Sequence, residues 1–229
     1  MRLGGWHKLT TLDFPGVVSA ILFAQGCNFF CPYCHNQNMI PMASQPGAPE
    51  LAEIMDFLRK RRQRGLLDGV VISGGEPTLQ LKELKAMCCR LKDMGYLLKL
   101  DSNGSRPEVL SALLADNLLD YIAIDIKTPP RLYAPPLCGQ RDFPHALQQC
   151  MELIEEKQIP HEFRTTAVAP FVSVQLAEQL LDCLKPGSRW FLQKAHLPPG
   201  SRNMEALPIS QMEHIRDLAL AKGVKAEIR

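Results

Sequence analysis

Short apolar runs that alternate with helical patterns constrain this chain more than any other feature. The runs are Val17–Phe23, Val70–Ser73, Leu97–Leu100, Tyr121–Ile124, Phe163–Val168 and Trp190–Leu192. They are continuous rather than alternating, as in strands covered on both faces of a parallel sheet. Between them, Leu51, Ile54, Met55 and Leu58 recur at i, i+3, i+4 and i+7. Leu84, Met87, Cys88 and Leu91 repeat that spacing, and so do Ala177, Leu180, Leu181 and Leu184. Each set gives a helix one apolar stripe to turn toward a core. Ser210 and Glu213 read as a capping box opening a last helix, and Val224–Ile228 as an edge strand. Six βα units place the chain in the α/β class, and six is too few for a closed eight-strand barrel. The expectation is a partial, open (β/α)6 barrel with parallel strands, one domain over residues 1–229, with an open side that leaves room for a large substrate. The longest irregular stretch, Thr128–Asp142, carries Pro129, Pro130, Pro135 and Pro136. Loops of that length are often functional.

Composition narrows the setting. With 229 residues, 46% hydrophobic and 22% charged, the chain can bury a full core, which excludes default disorder. A formal charge of +2 gives no global field that would draw nucleic acid or a membrane surface. The opening MRLGGWHKLT has no apolar h-region, and no run approaches the roughly 18 apolar residues that span a bilayer. A cytoplasmic protein with eight reduced cysteines is expected.

Three of those cysteines stand together. Gly26-Cys27-Asn28-Phe29-Phe30-Cys31-Pro32-Tyr33-Cys34-His35-Asn36 follows the first apolar run and spells C-x3-C-x2-C. Thiolates so close, at the carboxyl end of a strand, can converge on zinc or an iron–sulfur cluster. Packing is the plainer alternative, although a loop rimmed by Asn28 and Pro32 packs poorly. A structural zinc site needs four ligands, and His35 is the one further donor nearby. A cluster held by three cysteines leaves one iron free for substrate. A second segment, Ser73-Gly74-Gly75-Glu76-Pro77, follows the next run. Its glycines allow close backbone approach, and its carbonyls and Glu76 can hold an ammonium group.

Taken together, these two segments resemble the signature and the GGEP motif of the radical S-adenosylmethionine (SAM) enzymes. The resemblance implies one [4Fe–4S] cluster on Cys27, Cys31 and Cys34, with Tyr33 near the adenine and Gly74, Gly75 and Glu76 at the methionyl end. It implies that the amine and carboxylate of SAM chelate the open iron. Reductive cleavage then yields a 5′-deoxyadenosyl radical that takes a hydrogen atom from the substrate.

Over nearly the whole chain the likeness is to the glycyl-radical-enzyme activating group. Thr11-Leu12-Asp13-Phe14-Pro15-Gly16 is similar to that group's lead-in, and Gln25-Gly26-Cys27 and Cys34-His35-Asn36 match it closely. Leu100-Asp101-Ser102-Asn103-Gly104 and Asp125-Ile126-Lys127 resemble its L-D-T-N-G and D-L-K segments. The resemblance implies SAM-site roles for His35, Asn103 and Lys127, and a monovalent cation between Asp101 and Asp125. Caps for the following helices are the plainer reading of both aspartates. It further implies that Arg164 and Asp13 face a partner's glycine loop, where an ordinary strand arginine is the alternative for Arg164. His196 is set beside a late-strand SAM-contacting histidine, although Gln193-Lys194-Ala195 departs from that pattern.

Within the group the lead-in and length most resemble the activating protein of anaerobic ribonucleoside-triphosphate reductase. The expected partner is therefore a class III ribonucleotide reductase, with flavodoxin or ferredoxin as electron donor. Activation of a pyruvate formate-lyase type enzyme, a radical SAM reaction on a small molecule, and a non-catalytic electron carrier are the alternatives. Residues 37–50 hold no cysteine, so no second cluster is expected there. Cys88, Cys89, Cys150 and Cys183 lie in helical patterns and read as packing residues or free thiols, while Cys138 has no assigned role. The basic run Arg59-Lys60-Arg61-Arg62-Gln63-Arg64 ends a helix and reads as a solvated face that complements the helix dipole, or as a dock for an acidic redox protein.

Overall fold

The structure, a computed structural model, describes every residue except 134–136, 139–141, 199–200 and 202. Its frame is one nine-stranded sheet with the order β1-β2-β3-β4-β5-β6-β7-β9, and β8 pairs with β6 off that path. The strands are β1 (Leu3–Thr10), β2 (Ser19–Ala24), β3 (Gly69–Gly74), β4 (Leu97–Ser102), β5 (Tyr121–Asp125), β6 (His161–Ala169), β7 (Arg189–Lys194), β8 (Glu205–Ala206) and β9 (Lys225–Ile228). From β2 to β7 each strand pairs in parallel with the next, and β9 pairs in parallel with β7. Helices α1 (Leu51–Gln63), α2 (Leu81–Asp93), α3 (Pro107–Ala115), α4 (Phe143–Glu156), α5 (Val174–Leu181) and α6 (Ile209–Ala221) make the crossovers. Among the described residues no pairing joins β1 to β9, so the sheet is an open barrel.

The six expected apolar runs are β2 to β7, and the edge strand at the tail is β9. Their two faces differ in kind. Ala20, Leu22, Val70, Ile72, Leu98, Leu100, Ile122, Ile124, Phe163, Trp190 and Leu192 turn one way, into the main core with the helix stripes. The opposite face begins apolar, with Ile21, Val71 and Tyr121 around Phe14. It then becomes charged, because Lys99 and Glu162 are buried there at 1% and 2% exposure. Continuous apolar runs therefore hide an inner face that carries ions.

Two expectations need correction. Strand β1 is not among the apolar runs. It pairs antiparallel with β2, from Leu3 opposite Ala24 to Thr10 opposite Ser19, and so makes the lead-in Thr11–Gly16 part of the turn between the two strands. Ser210 does not cap the last helix. That helix opens on Pro208, whose carbonyl accepts from Gln211 and Met212 at 3.0 and 3.1 Å, and Ser210 lies inside its first turn. Proline at the boundary presets φ at −57° and needs no side-chain cap. The stretch after β5 is shorter in irregular backbone than expected, since Pro130–Leu132 form a 3-10 turn. Pro135 and Pro136 lie outside the described residues. No helix among the described residues is long and apolar enough to cross a membrane.

Candidate active site

The cysteine loop leaves β2 and is fixed at three places. At its base, Gly26 and Cys27 donate to the carbonyls of Met39 and Ile40 at 2.8 and 3.0 Å, which closes the loop on itself. At its middle, the Asn103 amide donates to Asn28 Oδ1 and Asn28 Nδ2 donates to Ser105 Oγ, both at 2.9 Å. On its far side Phe29 bridges to Cys138, and the Phe30 N–H donates to the Leu137 carbonyl at 3.0 Å. Cys138 thus acquires a place, buried beside the cysteine loop.

The turn after β3 is strapped to the same loop. The Gly75 and Glu76 amides donate to the carbonyls of Ala24 and Gly26 at 2.9 and 2.8 Å. Two glycines are required there. Gly74 has φ +114°, and a Cβ on Gly75 would lie 2.2 Å from the Gly26 oxygen. Glu76 departs from the sequence reading. It is fully buried and does not line the cavity. Its Oε1 accepts from the Thr78 amide (3.1 Å), Thr78 Oγ1 (2.5 Å) and Ser102 Oγ (2.9 Å), and its Oε2 from the Asn103 amide (2.7 Å). Burial pushes its carboxyl above the usual range against the pull of these donors. The carboxylate that was expected to hold an ammonium group instead ties the ends of β3 and β4 together.

These segments enclose a cavity of about 210 Å³. Cys27, Cys31, Cys34, Tyr33 and His35 line it from the loop, Gly74 and Gly75 from the turn, and Asp101, Asn103, Asp125, Lys127 and Arg164 from the strand ends. His196 stands outside this lining and faces His35 with ring centroids 6.5 Å apart. Asp13 is not brought to the cavity. It sits exposed in the turn before β2, where it accepts from Thr10 Oγ1, at the end of that strand opposite the cysteines. Across β2 that separation is about 20 Å at the usual rise per residue. A larger cavity, about 670 Å³, lies between α4 and α5 and is lined by Arg131, His145, Glu152, Gln179 and Cys183 among others. We assign chemistry to the smaller one, because the thiols and the carboxyl ends of five strands meet there.

Ions on β4, β5 and β6 form the wall of the cavity. Arg164 Nη1 lies 3.2 Å from Asp101 Oδ2, and its Nε 2.9 Å from Asp125 Oδ1. Lys99 meets Asp101 Oδ1 at 2.8 Å, and Lys127 meets Asp125 Oδ2 at 3.0 Å. Burial works to raise both aspartates, but Arg164 first, then Lys99 or Lys127, hold them below the usual carboxylate range. Burial likewise works against charge on Lys127, and Asp125, then Cys31 and Tyr33, keep its ammonium well above its usual pKa. Arg164, expected to face a partner, is turned inward at 15% side-chain exposure. It lines the cavity from β6.

The chemistry of the donors can be tested against an iron–sulfur cluster and SAM. Burial pushes the Cys27 thiol up to about 12 and raises Cys31, so a metal must displace both protons. The Lys127 ammonium stands where it favours the Cys31 thiolate. Among the described residues no three His, Cys, Asp or Glu side chains converge on one point for a single ion. Cys27, Cys31 and Cys34 nevertheless line one cavity, and three thiols are the donor type that an iron–sulfur cluster takes. Tyr33 Oη is buried without a hydrogen-bond partner among the described residues, so a polar cofactor atom has a group waiting for it. The residues fit both groups.

Sequence reasoning missed Asn28, Ser102, Lys99 and Glu162. Their partners lie up to 77 residues away, and Lys99 sits inside an apolar run that reads as plain strand. The basic run is solvated at the end of α1. Arg59 and Lys60 pair with Asp56, Arg62 pairs with Asp68, and Arg61 covers the Phe57 ring at 4.9 Å.

Comparison with known proteins adds the family. The profile of the Radical SAM superfamily matches residues 21–184. A Methanocaldococcus jannaschii protein whose name places it among glycyl-radical enzyme activating enzymes is 30% identical over 221 residues, 94% of this chain and 89% of that protein. The pyruvate formate-lyase-activating enzyme of Streptococcus mutans is 33% identical over 94 residues, 40% of this chain and only 35% of that protein. Among solved structures, Streptococcus suis SuiB bound to S-adenosylmethionine superposes with a TM-score of 0.64 at 15% identity. The superposition covers 91% of this chain and about half, 51%, of SuiB, and at that identity it speaks to the fold alone.

Proposed function

Because the chain belongs to the radical SAM superfamily, within its glycyl-radical-enzyme activating group, we propose that it installs a glycyl radical on a class III ribonucleotide reductase. The observation that carries the reading is the single cavity in which three cysteines, the glycine turn and the strand-end ions of β4 to β6 meet. When bound, one [4Fe–4S] cluster and SAM supply one-electron cleavage of the sulfonium and abstraction of a hydrogen atom.

This chain's residues then take the following parts. Cys27, Cys31 and Cys34 hold the cluster as thiolates. The Gly74–Gly75 backbone presents carbonyls to the methionyl ammonium, a task its lack of side chains permits. Tyr33 Oη, Asn103 and His35 orient the nucleoside end, with His196 at the mouth beside His35. Lys127 and Arg164 bring positive charge to the carboxylate of SAM. The inner wall of ions, sealed beneath by Phe14, Ile21, Val71 and Tyr121, keeps bulk water from the reacting atoms. A partner's glycine loop enters along the open side between β1 and β9. Glu76 and Asp13 have no contact role in this reading. The expected alkali cation has none either. The working unit is residues 1–229 as one domain in the cytoplasm, and the Lys60–Arg61 face of α1 receives flavodoxin or ferredoxin.

A second reading, activation of a pyruvate formate-lyase type enzyme, is favoured by the names of relatives such as the Streptococcus mutans protein. One experiment separates them. The cluster is reconstituted anaerobically and reduced, SAM is added with a class III reductase or a formate-lyase, and electron paramagnetic resonance is recorded. A glycyl radical on the reductase supports the proposal. A radical on the lyase alone supports the second reading. SAM cleavage stimulated by small molecules, with no radical on either protein, overturns both.

A further inference from the structure

The gap between Asp101 and Asp125 is already filled. Asp101 pairs with Ala123 in the β4–β5 register and Asp125 with Arg164 in the β5–β6 register, so the two carboxylates and the guanidinium share one face across three adjacent strands. Arg164 bridges the aspartates through Nη1 and Nε. The two remaining oxygens go to Lys99 and Lys127. Each of the four carboxylate oxygens therefore has a cationic side chain at 2.8 to 3.2 Å. A third carboxylate, Glu162, lies 3.6 Å from Lys99 and 4.0 Å from Arg164, with Arg229 at 3.4 Å on its other side. Three carboxylates thus face Lys99, Lys127 and Arg164, and Arg229 completes the group at the edge. An added alkali ion meets at least as many cations as anions and finds no unengaged aspartate oxygen.

We propose that the Arg164 guanidinium takes the place of a monovalent cation between Asp101 and Asp125, so that this chain binds no alkali metal there. A guanidinium suits the task. Its charge is permanent, and its planar fork spans two carboxylates in a fixed geometry where an ammonium offers a point charge. Strand β6 sets its position, so the charge is built into the sheet rather than drawn from solution. The part of the inference that concerns SAM rests on the functional reading above; the filled gap does not.

The test starts with the protein without cluster. Thallium(I), a potassium mimic, is titrated in and followed by thallium nuclear magnetic resonance, and thermal midpoints are compared in potassium and choline salts at equal ionic strength. The wild-type chain is expected to show no saturable thallium binding and one midpoint in both salts. Arg164→Ala opens the gap and is expected to bind thallium saturably and to melt higher in potassium. Arg164→Lys, which keeps a charge, stays indifferent to potassium. Saturable thallium binding by the wild type that Asp125→Asn removes overturns the inference, as does a folded Arg164→Ala variant that binds none. Should Arg164→Ala not fold, the wild-type titration decides alone. In the reconstituted protein, SAM affinity by equilibrium dialysis is expected to be equal in the two salts. A fall of about tenfold in choline, some 1.4 kcal/mol, also overturns it. Failure to bind SAM in either salt counts against the functional reading and leaves the thallium result standing.

Discussion

Single residues at this site divide into those that touch a cofactor in the proposed chemistry and those that hold others still. Cys31 is of the first kind. Cys31→Ala is expected to abolish SAM cleavage and to lower the iron and sulfide retained after reconstitution, measured by chemical assay and visible absorbance. Full retention of both would remove Cys31 from the ligand set. Glu76 is of the second kind. Both its oxygens accept, and two of the four donors are backbone amides that cannot turn away. Glu76→Gln must aim an NH2 at one of them, an unsatisfied buried contact costing about 2–3 kcal/mol. Urea titration checks this, and an unchanged midpoint would contradict the clamp. The cysteines and glycines were legible in the sequence because their chemistry is written in spacing within a few residues. Glu76 was legible as a residue but not as a role, since Ser102 and Asn103, which decide it, come from another strand. Lys99 and Glu162 were not legible at all, because an ion inside an apolar run is recognised only once its partners on the neighbouring strands are known.

At the scale of elements, the glycine turn couples one strand to the cysteine loop. Gly75→Ala places a Cβ within 2.2 Å of the Gly26 carbonyl oxygen, and backbone must move. The turn after β3 should separate from the loop while the sheet survives. Far-ultraviolet circular dichroism is then expected to stay near wild type, while SAM affinity falls at least about tenfold. Wild-type affinity would show that the strap does not position the site. Strands β2 to β7 were readable because burial on the helix side gives runs of apolar residues. Strand β1 was not readable. Its Gly4 and Gly5 carry no β signal, and along most of its length it is half-buried or exposed. The misplaced cap of α6 has a similar origin, because Ser210 and Glu213 fit the pattern and Pro208 two residues earlier fits better.

For the whole molecule, the ionic wall ties stability to pH. Asp101 and Asp125 have folded pKa values below their unfolded ones. Their contribution is complete above the unfolded value of about 3.9 and disappears as pH falls through the folded values. Glu76 acts with the opposite sign, since its folded pKa is raised and stability is lost as pH climbs from its unfolded value toward it. Two buried carboxylates act in the first sense and one in the second. Thermal midpoints are therefore expected to drop steeply below about pH 4, and Arg164→Gln is expected to shrink that drop, because without the guanidinium both aspartates lose the charge that holds them down. A midpoint that stays level from pH 7 to pH 3 would deny the wall any part in stability.

The three tethers of the cysteine loop bear on the order of events in maturation. None of them passes through a thiol: they run from backbone to backbone, or through Asn28, to three separate parts of the chain. A finger that collapses without its zinc has no such moorings. Here the loop is held by contacts that need no metal, so protein stripped of metal in air is expected to keep its secondary structure and to take up iron and sulfide again, which circular dichroism before and after reconstitution checks.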